Sequence, residues 1–393
     1  MFEIKGKYAT ALVTTYNIEE EAIGQVTELV NDVAAEGSKV VIMPDVHAGK
    51  GSVVGTVMQL KDRVVPNLVG VDIGCGVLAV EILNRDLDYE SLDRTIKEKI
   101  PFGFGVHNTE SKLAKTIIKD LRMHLSAKDR SHILKSLGSL GGGNHFISVE
   151  QEGDTNFLCI HSGSRSLGLK VAKHYQEIAI SKQQQIDYNL IIQELKDKGQ
   201  QHLIEGALKD AKAAAPSHNK DLAYLTGEDM DNYIHDLKIA QKFAYENRLT
   251  MAKIIIDAMG WTPFTDIHTI HNYIDTKTMI LRKGAVAATV DEHFIVPLNM
   301  KDGSLICVGR PNDEWLQSAP HGAGRAMSRR KAKELLNVND FIDEMKEVWS
   351  SSIGESTLDE APSAYKPAQE IKDILSKKYK VVAHLKPVYN FKA

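Results

Sequence analysis

Gly70-Val71-Asp72-Ile73-Gly74-Cys75-Gly76 sets a carboxylate and a thiol three residues apart, with glycines around them and Val69, Val77 and Leu78 continuing the apolar run. Glycine lets a backbone turn sharply or approach a ligand closely, so this stretch is expected to be a strand end turned to present Asp72 and Cys75 together. A hard and a soft donor aimed at one point suit a metal, and a thiolate sulfur can bridge two cations. Alone, the heptapeptide fits equally well a small buried Cys beside an Asp that closes a turn.

Working outward, Ser52 to Leu83 alternates short β-rich runs with glycines. Upstream, the periodicity predicts a strand over 8–15, an amphipathic helix over 19–35 and a strand over 40–43 running into Pro44-Asp45-Val46-His47. Downstream, 87–135 reads as helical, interrupted by Pro101-Phe-Gly-Phe-Gly105. Residues 168–260 form a helical section, with long polar helices expected over 184–198 and 222–259 and an apolar stripe at Tyr224, Tyr233, Leu237, Ala240, Phe243 and Ala244. Its Glu, Gln, Lys and Ala suit a solvated arm on the main body. A strand is expected over 279–282, and a hairpin from 290–297 and 304–309. Short hairpin-like strands with clustered helices, not βαβ alternation, predict an α+β fold. The expected organisation is one catalytic domain over 1–393, with 168–260 as a helical insertion.

Composition narrows the function. The formal charge of −4 argues against a non-specific nucleic-acid coater, so a polyanion would have to be gripped by a local basic patch. Cys75, Cys159 and Cys307 cannot all pair with one another, and no C-x-x-C occurs, which points to a reducing, cytoplasmic setting. The first residues lack the apolar core of a signal peptide, and no apolar run has the roughly 18 residues needed to span a bilayer.

Candidate ligands recur on Gly-bounded loops beside strands: Asp72, Cys75, His145, His161 and His271. Five exceed what one tetrahedral ion needs with an open position, but suit two ions if Cys75 bridges. By ligand softness alone the ion would be zinc. Around them are anion-binding features. Gly141-Gly142-Gly143 offers backbone N–H groups, Arg165 follows His161-Ser-Gly-Ser, and Asn144, Asn272, Asn299, Ser304, Ser318, Lys366 and Lys392 are donors. His321 precedes Gly322-Ala323-Gly324-Arg325 and a basic helix expected over 326–336, where the helix dipole would favour an anion and a neutral imidazole. Two metals, phosphate donors and a spare histidine spell phosphoryl or nucleotidyl transfer through a phosphohistidine. Neither a Walker A loop nor a Rossmann fingerprint is present.

Pro44-Asp45-Val46-His47, the opening heptapeptide, Gly141-Gly-Gly-Asn144-His145-Phe146, His161-Ser-Gly-Ser-Arg165, His271-Asn272, Ser318-Ala-Pro-His321-Gly-Ala-Gly-Arg325 and Glu360-Ala-Pro-Ser-Ala-Tyr365-Lys366 resemble, in order and spacing, the RtcB family of RNA ligases. The resemblance implies a GTP- and Mn(II)-dependent enzyme joining RNA ends bearing a 3'-phosphate or 2',3'-cyclic phosphate to 5'-hydroxyl ends. It implies that His321 carries GMP, that Cys75, His161 and His271 hold one Mn(II), and that Asp72, Cys75 and His145 hold the other. Manganese thus replaces the zinc expectation. GTP contacts would fall on Asn144, His145, Phe146, Ile147 and Ser148, and on His271 and Asn272. Further contacts would come from Pro297, Leu298, Asn299, Met300 and Ser304, and from His321, Gly322, Ala323, Gly324 and Lys392. Arg165 and Arg325 would meet RNA phosphates. The resemblance also allows a helper protein, and a paralogue serving RNA repair.

Three stretches depart from the family pattern, all near the expected nucleotide. Ile147-Ser148 stands where Ile-Glu is usual, Pro297-Leu-Asn299-Met-Lys-Asp302 where Pro-Gly-Ser-Met-Gly-Thr is usual, and Lys392-Ala393 where Lys-Gly is usual. The alternatives that these departures leave open are a two-metal phosphohydrolase without ligation and a non-catalytic metal- and RNA-binding protein.

Overall fold

A computed structural model describes residues 1–183, 188–214 and 219–392. Two large β-sheets and two two-stranded ones lie within a shell of helices, the α+β arrangement expected. The first sheet has six strands in the order Phe2–Lys5, Thr10–Val13, Lys39–His47, Val54–Gln59, Ile280–Lys283, Asn272–Asp275. The second has seven, in the order Pro263–Ile270, Gly76–Ile82, Thr155–Ser162, Phe146–Glu152, Lys380–Lys392, Gly303–Val308, His293–Asn299. Of these pairings only Thr10–Val13 with Lys39–His47 is parallel among the described residues, as a helix (Glu20–Asn31) connects those two strands.

The seven-stranded sheet curls until its two edges meet, where Ile295 N donates to Thr269 Oγ1 at 3.0 Å. Alternation along its strands makes two apolar faces. Val77, Ala79, Cys159, Ile295, Ile306 and Leu385 fill the inside of the curl. Leu78, Val80, Ile147, Val149, Leu158 and Ile160 point the other way, onto Met251, Ala252 and Ile255 of a long helix. Period-two side-chain alternation is thus satisfied on both faces at once.

That helix, Gly227–Met259, differs from the solvated arm expected of its composition. Tyr233, Leu237, Ala240, Phe243 and Ala244 are buried, and the stripe continues through Asn247, Arg248 and Met251. Apart from Asp236 and Arg248, which are buried, its charged residues lie on the outer face, and Gly260 ends it at φ 63°, a left-handed conformation that favours glycine. Of the helix expected over 184–198, Tyr188–Asp197 is helical and 184–187 lie outside the described residues. The hairpin expected around 299–303 is present, His293–Asn299 pairing with Gly303–Val308. Among the described residues no helix is long and apolar enough to cross a membrane.

Candidate active site

The five expected ligands converge. Cys75 immediately precedes the strand Gly76–Ile82, His145 immediately precedes Phe146–Glu152, and His161 lies near the end of Thr155–Ser162, opposite Val77. His271 joins two strands, its backbone N–H donating to Cys75 O at 2.8 Å. The approach depends on Gly76, where a Cβ would lie 2.2 Å from Thr269 O. Cys75 Sγ is 3.3 Å from His161 Nε2 and 3.5 Å from His145 Nε2. His145 Nε2 is 3.0 Å from Asp72 Oδ2, and His161 Nε2 is 3.4 Å from His271 Nε2. The donors form two groups that share the thiol: Cys75, His161 and His271, and Asp72, Cys75 and His145.

The donor set fits cations. His145 Nδ1 lies 2.9 Å from Leu140 O, a carbonyl that can only accept, so Nδ1 carries a ring proton and Nε2 is directed at Asp72 and Cys75. Nε2 and the carboxylate oxygen, 3.0 Å apart, require a proton or a cation between them. Burial, reinforced by the neighbouring histidines, holds His161 and His271 well below the usual imidazole range, which leaves their lone pairs free to ligate. Burial pushes Asp72 up, but His145, Cys75 and Arg165 together outweigh it and keep the carboxyl below its ordinary value. Burial and the Asp72 charge raise the Cys75 thiol, against which Arg248 acts weakly; a coordinating cation reverses such a shift by deprotonating the thiol.

Two residues that hold this cluster were not anticipated. Asn247 Oδ1 accepts from Gly138 N and Ser139 N at 2.7 and 3.1 Å, and its Nδ2 donates to Ser139 O at 3.0 Å and Gly163 O at 3.2 Å. Arg248, fully buried, donates to Gly74 O and Ser162 O, the carbonyls beside Cys75 and His161. The signal was present in the sequence, as an amide and a guanidinium that interrupt an apolar stripe at helical spacing.

His321 is brought to the edge of the cluster, its ring centroid 4.9 Å from that of His271. It does not start a helix. Ser318–Pro320 is a strand, and the helix that follows begins only at Arg329, capped by Ser328. The expected dipole effect is therefore replaced by a carboxylate: Asp45 Oδ2 is 2.7 Å from His321 Nδ1 and accepts from the His321 and Gly322 backbone N–H groups at 3.1 and 3.2 Å. Asp45 is wholly buried, and Gly324, at φ 74°, permits the contact because a Cβ there would lie 2.6 Å from Asp45 O.

A cavity of about 230 Å³ opens beside His321. Of the residues expected to contact GTP, Asn144, Phe146, Lys392, the segment 322–324, Pro297, Leu298, Asn299 and Met300 lie on its wall. Several of the expected residues also make contacts within the chain. Ile147 points away from the cavity into the core under the long helix, because adjacent strand residues face opposite sides. Asn272 Oδ1 accepts from Gly284 N at 2.9 Å, and Asn299 Oδ1 closes the hairpin turn by accepting from Lys301 N and Asp302 N at 2.9 and 2.8 Å. Ser304 is buried beside the cavity wall at Gly303. Ser318 accepts from Arg282, and Lys366 donates to Asn17 O and Val46 O at 3.2 Å.

The arginines expected to meet RNA are also engaged. Arg165 donates to Ser139 Oγ at 3.0 Å and Gly103 O at 2.8 Å. Arg325 donates to Glu360 Oε1 at 3.2 Å and to Asp359 O. Glu360 is a buried hub that also takes Arg329, Tyr365 and Lys392. Burial would raise its pKa, but Lys392 and Arg329 hold it below the usual range.

Ser148 is buried, its hydroxyl donating to Glu150 Oε1 at 2.9 Å, and Glu150 itself lies on the cavity wall. Burial pushes Glu150 up to about 7, against the hydroxyls of Ser148 and Ser304. Its folded pKa lies above the ordinary 4.5, so the folded chain binds more protons than the unfolded one between these values. Stability from this group is complete below about pH 4.5 and is lost as pH rises through about 7. Glu150→Gln is therefore expected to stabilise the ligand-free protein by up to about 3 kcal/mol near pH 8 and by much less near pH 5. Chemical denaturation at the two pH values checks this, and an equal difference at both would refute it.

The chain is similar in sequence to known proteins along most of its length. The sequence profile of the family described as tRNA-splicing ligase RtcB matches residues 28–125 and 116–393. An RNA-splicing ligase RtcB of Escherichia coli (strain K12) is 30% identical, over 89% of this chain and 88% of that protein. The tRNA-splicing ligases RtcB of Nanoarchaeum equitans (strain Kin4-M) and of Archaeoglobus fulgidus are each 26% identical, covering 88% and 94% of this chain and 87% and 91% of theirs.

Proposed function

Since this chain belongs to the RtcB family of RNA ligases, we propose that it joins RNA 3'-phosphate or 2',3'-cyclic phosphate ends to 5'-hydroxyl ends, using GTP and two Mn(II) ions, with His321 as the covalent nucleotide carrier. The observation that supports this best is the position of His321, which stands on a buried carboxylate at the rim of a cluster of five ligands and opens into the cavity.

Cys75, His161 and His271 would hold one Mn(II), and Asp72, Cys75 and His145 the other. When bound, the cations supply positive charge that offsets developing charge on the phosphates. The chain's own residues supply the nucleophile and its orientation. His321 Nδ1 lies 2.7 Å from Asp45 Oδ2, a neighbour that favours the tautomer with its proton on Nδ1 and its lone pair on Nε2. Nε2 attacks the α-phosphorus of GTP, a P–N bond forms, the bond to the β-phosphate's bridging oxygen breaks, and pyrophosphate leaves with that electron pair. An oxygen of the RNA 3'-phosphate then attacks the same phosphorus and releases His321. The 5'-hydroxyl attacks the activated RNA phosphorus, loses its proton and expels GMP. A cyclic end is first opened by water to the 3'-phosphate. Asn144, Phe146, Lys392 and the 297–300 and 322–324 segments would surround the nucleotide, and Arg165 and Arg325 would lie toward the RNA.

The test is end joining with two labelled oligonucleotides, one ending in a 3'-phosphate and one beginning with a 5'-hydroxyl. A product of summed length is expected only with both GTP and Mn(II). Release of phosphate without joining would replace this reading with phosphohydrolysis, and GTP-independent RNA binding alone would replace it with a non-catalytic role.

A further inference from the structure

The interruption at Pro101-Phe-Gly-Phe-Gly105 is a tight turn with an aromatic ring at its tip. Phe102 O accepts from Gly105 N at 2.9 Å, and the two central residues are Gly103, at φ 60°, and Phe104. Phe104 is wholly exposed. The turn beneath it is fixed. Leu140 N donates to Pro101 O and Gly103 N to Gly141 O, each at 2.8 Å, and Arg165 Nη2 donates to Gly103 O at 2.8 Å. Phe102 packs edge-on against Phe391, with ring centroids 5.4 Å apart. The anchor in turn abuts the ligand cluster. A Cβ on Gly141 would overlap the Arg165 guanidinium and fall 2.7 Å from His145 Nδ1, and a Cβ on Gly142 would fall 3.7 Å from Gly103 Cα. On the other flank, a Cβ on Gly143 would lie 3.4 Å from Nη2 of Arg329, which lines the cavity beside His321. The exposed Gly143 thus lies between the aromatic turn and a guanidinium at the cavity.

We propose that Phe104 is a stacking platform for an unpaired base of the RNA, close to the end that is joined. This rests on RNA being the substrate, as proposed above. A phenyl ring left in water forgoes the gain from burial, and every nucleobase has a face that can cover it. Single strands are held by aromatic faces set beside cationic groups that follow the backbone. Here Arg165 is bonded to the residue before the ring, and Arg329 lies across the glycine loop. One ring bordered by Gly103 and Gly105 is too small a surface for a protein partner, which needs a contiguous apolar patch. Because the turn is already anchored, little freedom is lost when a base settles on its tip. Stacking is indifferent to base identity, so the platform would accept ends of any sequence. The turn's bond to Arg165, beside the loop that carries His145, puts the stacked base within the first few nucleotides of the reacting end.

The experiment measures binding of fluorescent single-stranded oligoribonucleotides to the full chain, with Mn(II) and without GTP, in the wild type, Phe104→Ala and Phe104→Trp. One set ends in a 3'-phosphate and the other begins with a 5'-hydroxyl, and each includes members with one abasic site at successive positions from that end. In the wild type, one position near an end is expected to be sensitive, its abasic member binding about five- to a hundredfold more weakly. The set that holds this position identifies the strand that the ring receives. Phe104→Ala is expected to bind the intact oligonucleotide more weakly by a similar factor, to lose the sensitivity at that position, and to keep the wild-type slope of affinity against salt, since no phosphate contact is removed. Phe104→Trp should retain both affinity and sensitivity. The ring is wholly exposed, so both variants should unfold as the wild type does. If Phe104→Ala binds the intact oligonucleotide as tightly as the wild type, or stays sensitive at the same abasic position, the proposal is overturned and the RNA-ligase reading stands. If the wild type binds neither set, the RNA reading fails and the proposal with it.

Discussion

His321→Ala is expected to abolish attachment of labelled nucleotide from α-labelled GTP, with at least about a 10⁴-fold loss, while the chain remains folded. The wild-type label should be acid-labile and alkali-stable, as a phosphorus–nitrogen bond requires. His321 has a neighbour placed to favour one tautomer, Asp45 Oδ2, which lies 2.7 Å from Nδ1 and is anchored by two backbone N–H groups. Asp45→Asn should therefore keep nucleotide binding but lose about 10² to 10⁴ in the rate of attachment, since an amide no longer dictates which ring nitrogen is free. Folding is not at risk in the alanine variant, whose ring lies at a cavity edge and not in an apolar cluster. Undiminished labelling of His321→Ala would show that another side chain is the carrier.

Asp72, Cys75 and the histidines were legible because ligand chemistry restricts residue type, and the glycines beside them betray loops that must approach closely. Gly76 and Gly324 illustrate this, each standing where a Cβ would meet backbone of another segment. The local surroundings of His321 were not legible. Residues 318–325 carry the composition of a helix start, yet pairing of Ser318–Pro320 with Ala285–Ala287 delays the helix to Arg329, and this pairing is between strands far apart in sequence. Asn247 and Arg248 were missed because the expected stripe stops at Ala244, and polar side chains that extend it carry no sign of the carbonyls they will meet. In each case a contact distant in sequence decided the outcome, and local pattern carries no record of such contacts.

Cys75→Ala should reduce the bound Mn(II) from two ions per chain to one or none and reduce nucleotide attachment by well over about a hundredfold. The expectation follows from the sharing of one sulfur: Cys75 belongs to both ligand groups, so its removal leaves His161 and His271 for one ion and Asp72 and His145 for the other. Even loss of an outer partner of a metal ligand costs about 10- to 100-fold, and loss of a shared ligand exceeds that. Cys75→Ser separates size from donor type, as the hydroxyl refills the space but bridges two cations poorly. The backbone at Cys75 is held independently of its side chain, through Cys75 N to Asp72 O at 3.2 Å and Cys75 O to His271 N at 2.8 Å, so both variants should keep the fold. Metal analysis after equilibration with Mn(II), alongside thermal unfolding and labelling by GTP, distinguishes the cases. Two ions retained with attachment at the wild-type rate would mean that the thiol is a buried core residue and that the ions are held by the imidazoles and Asp72 alone.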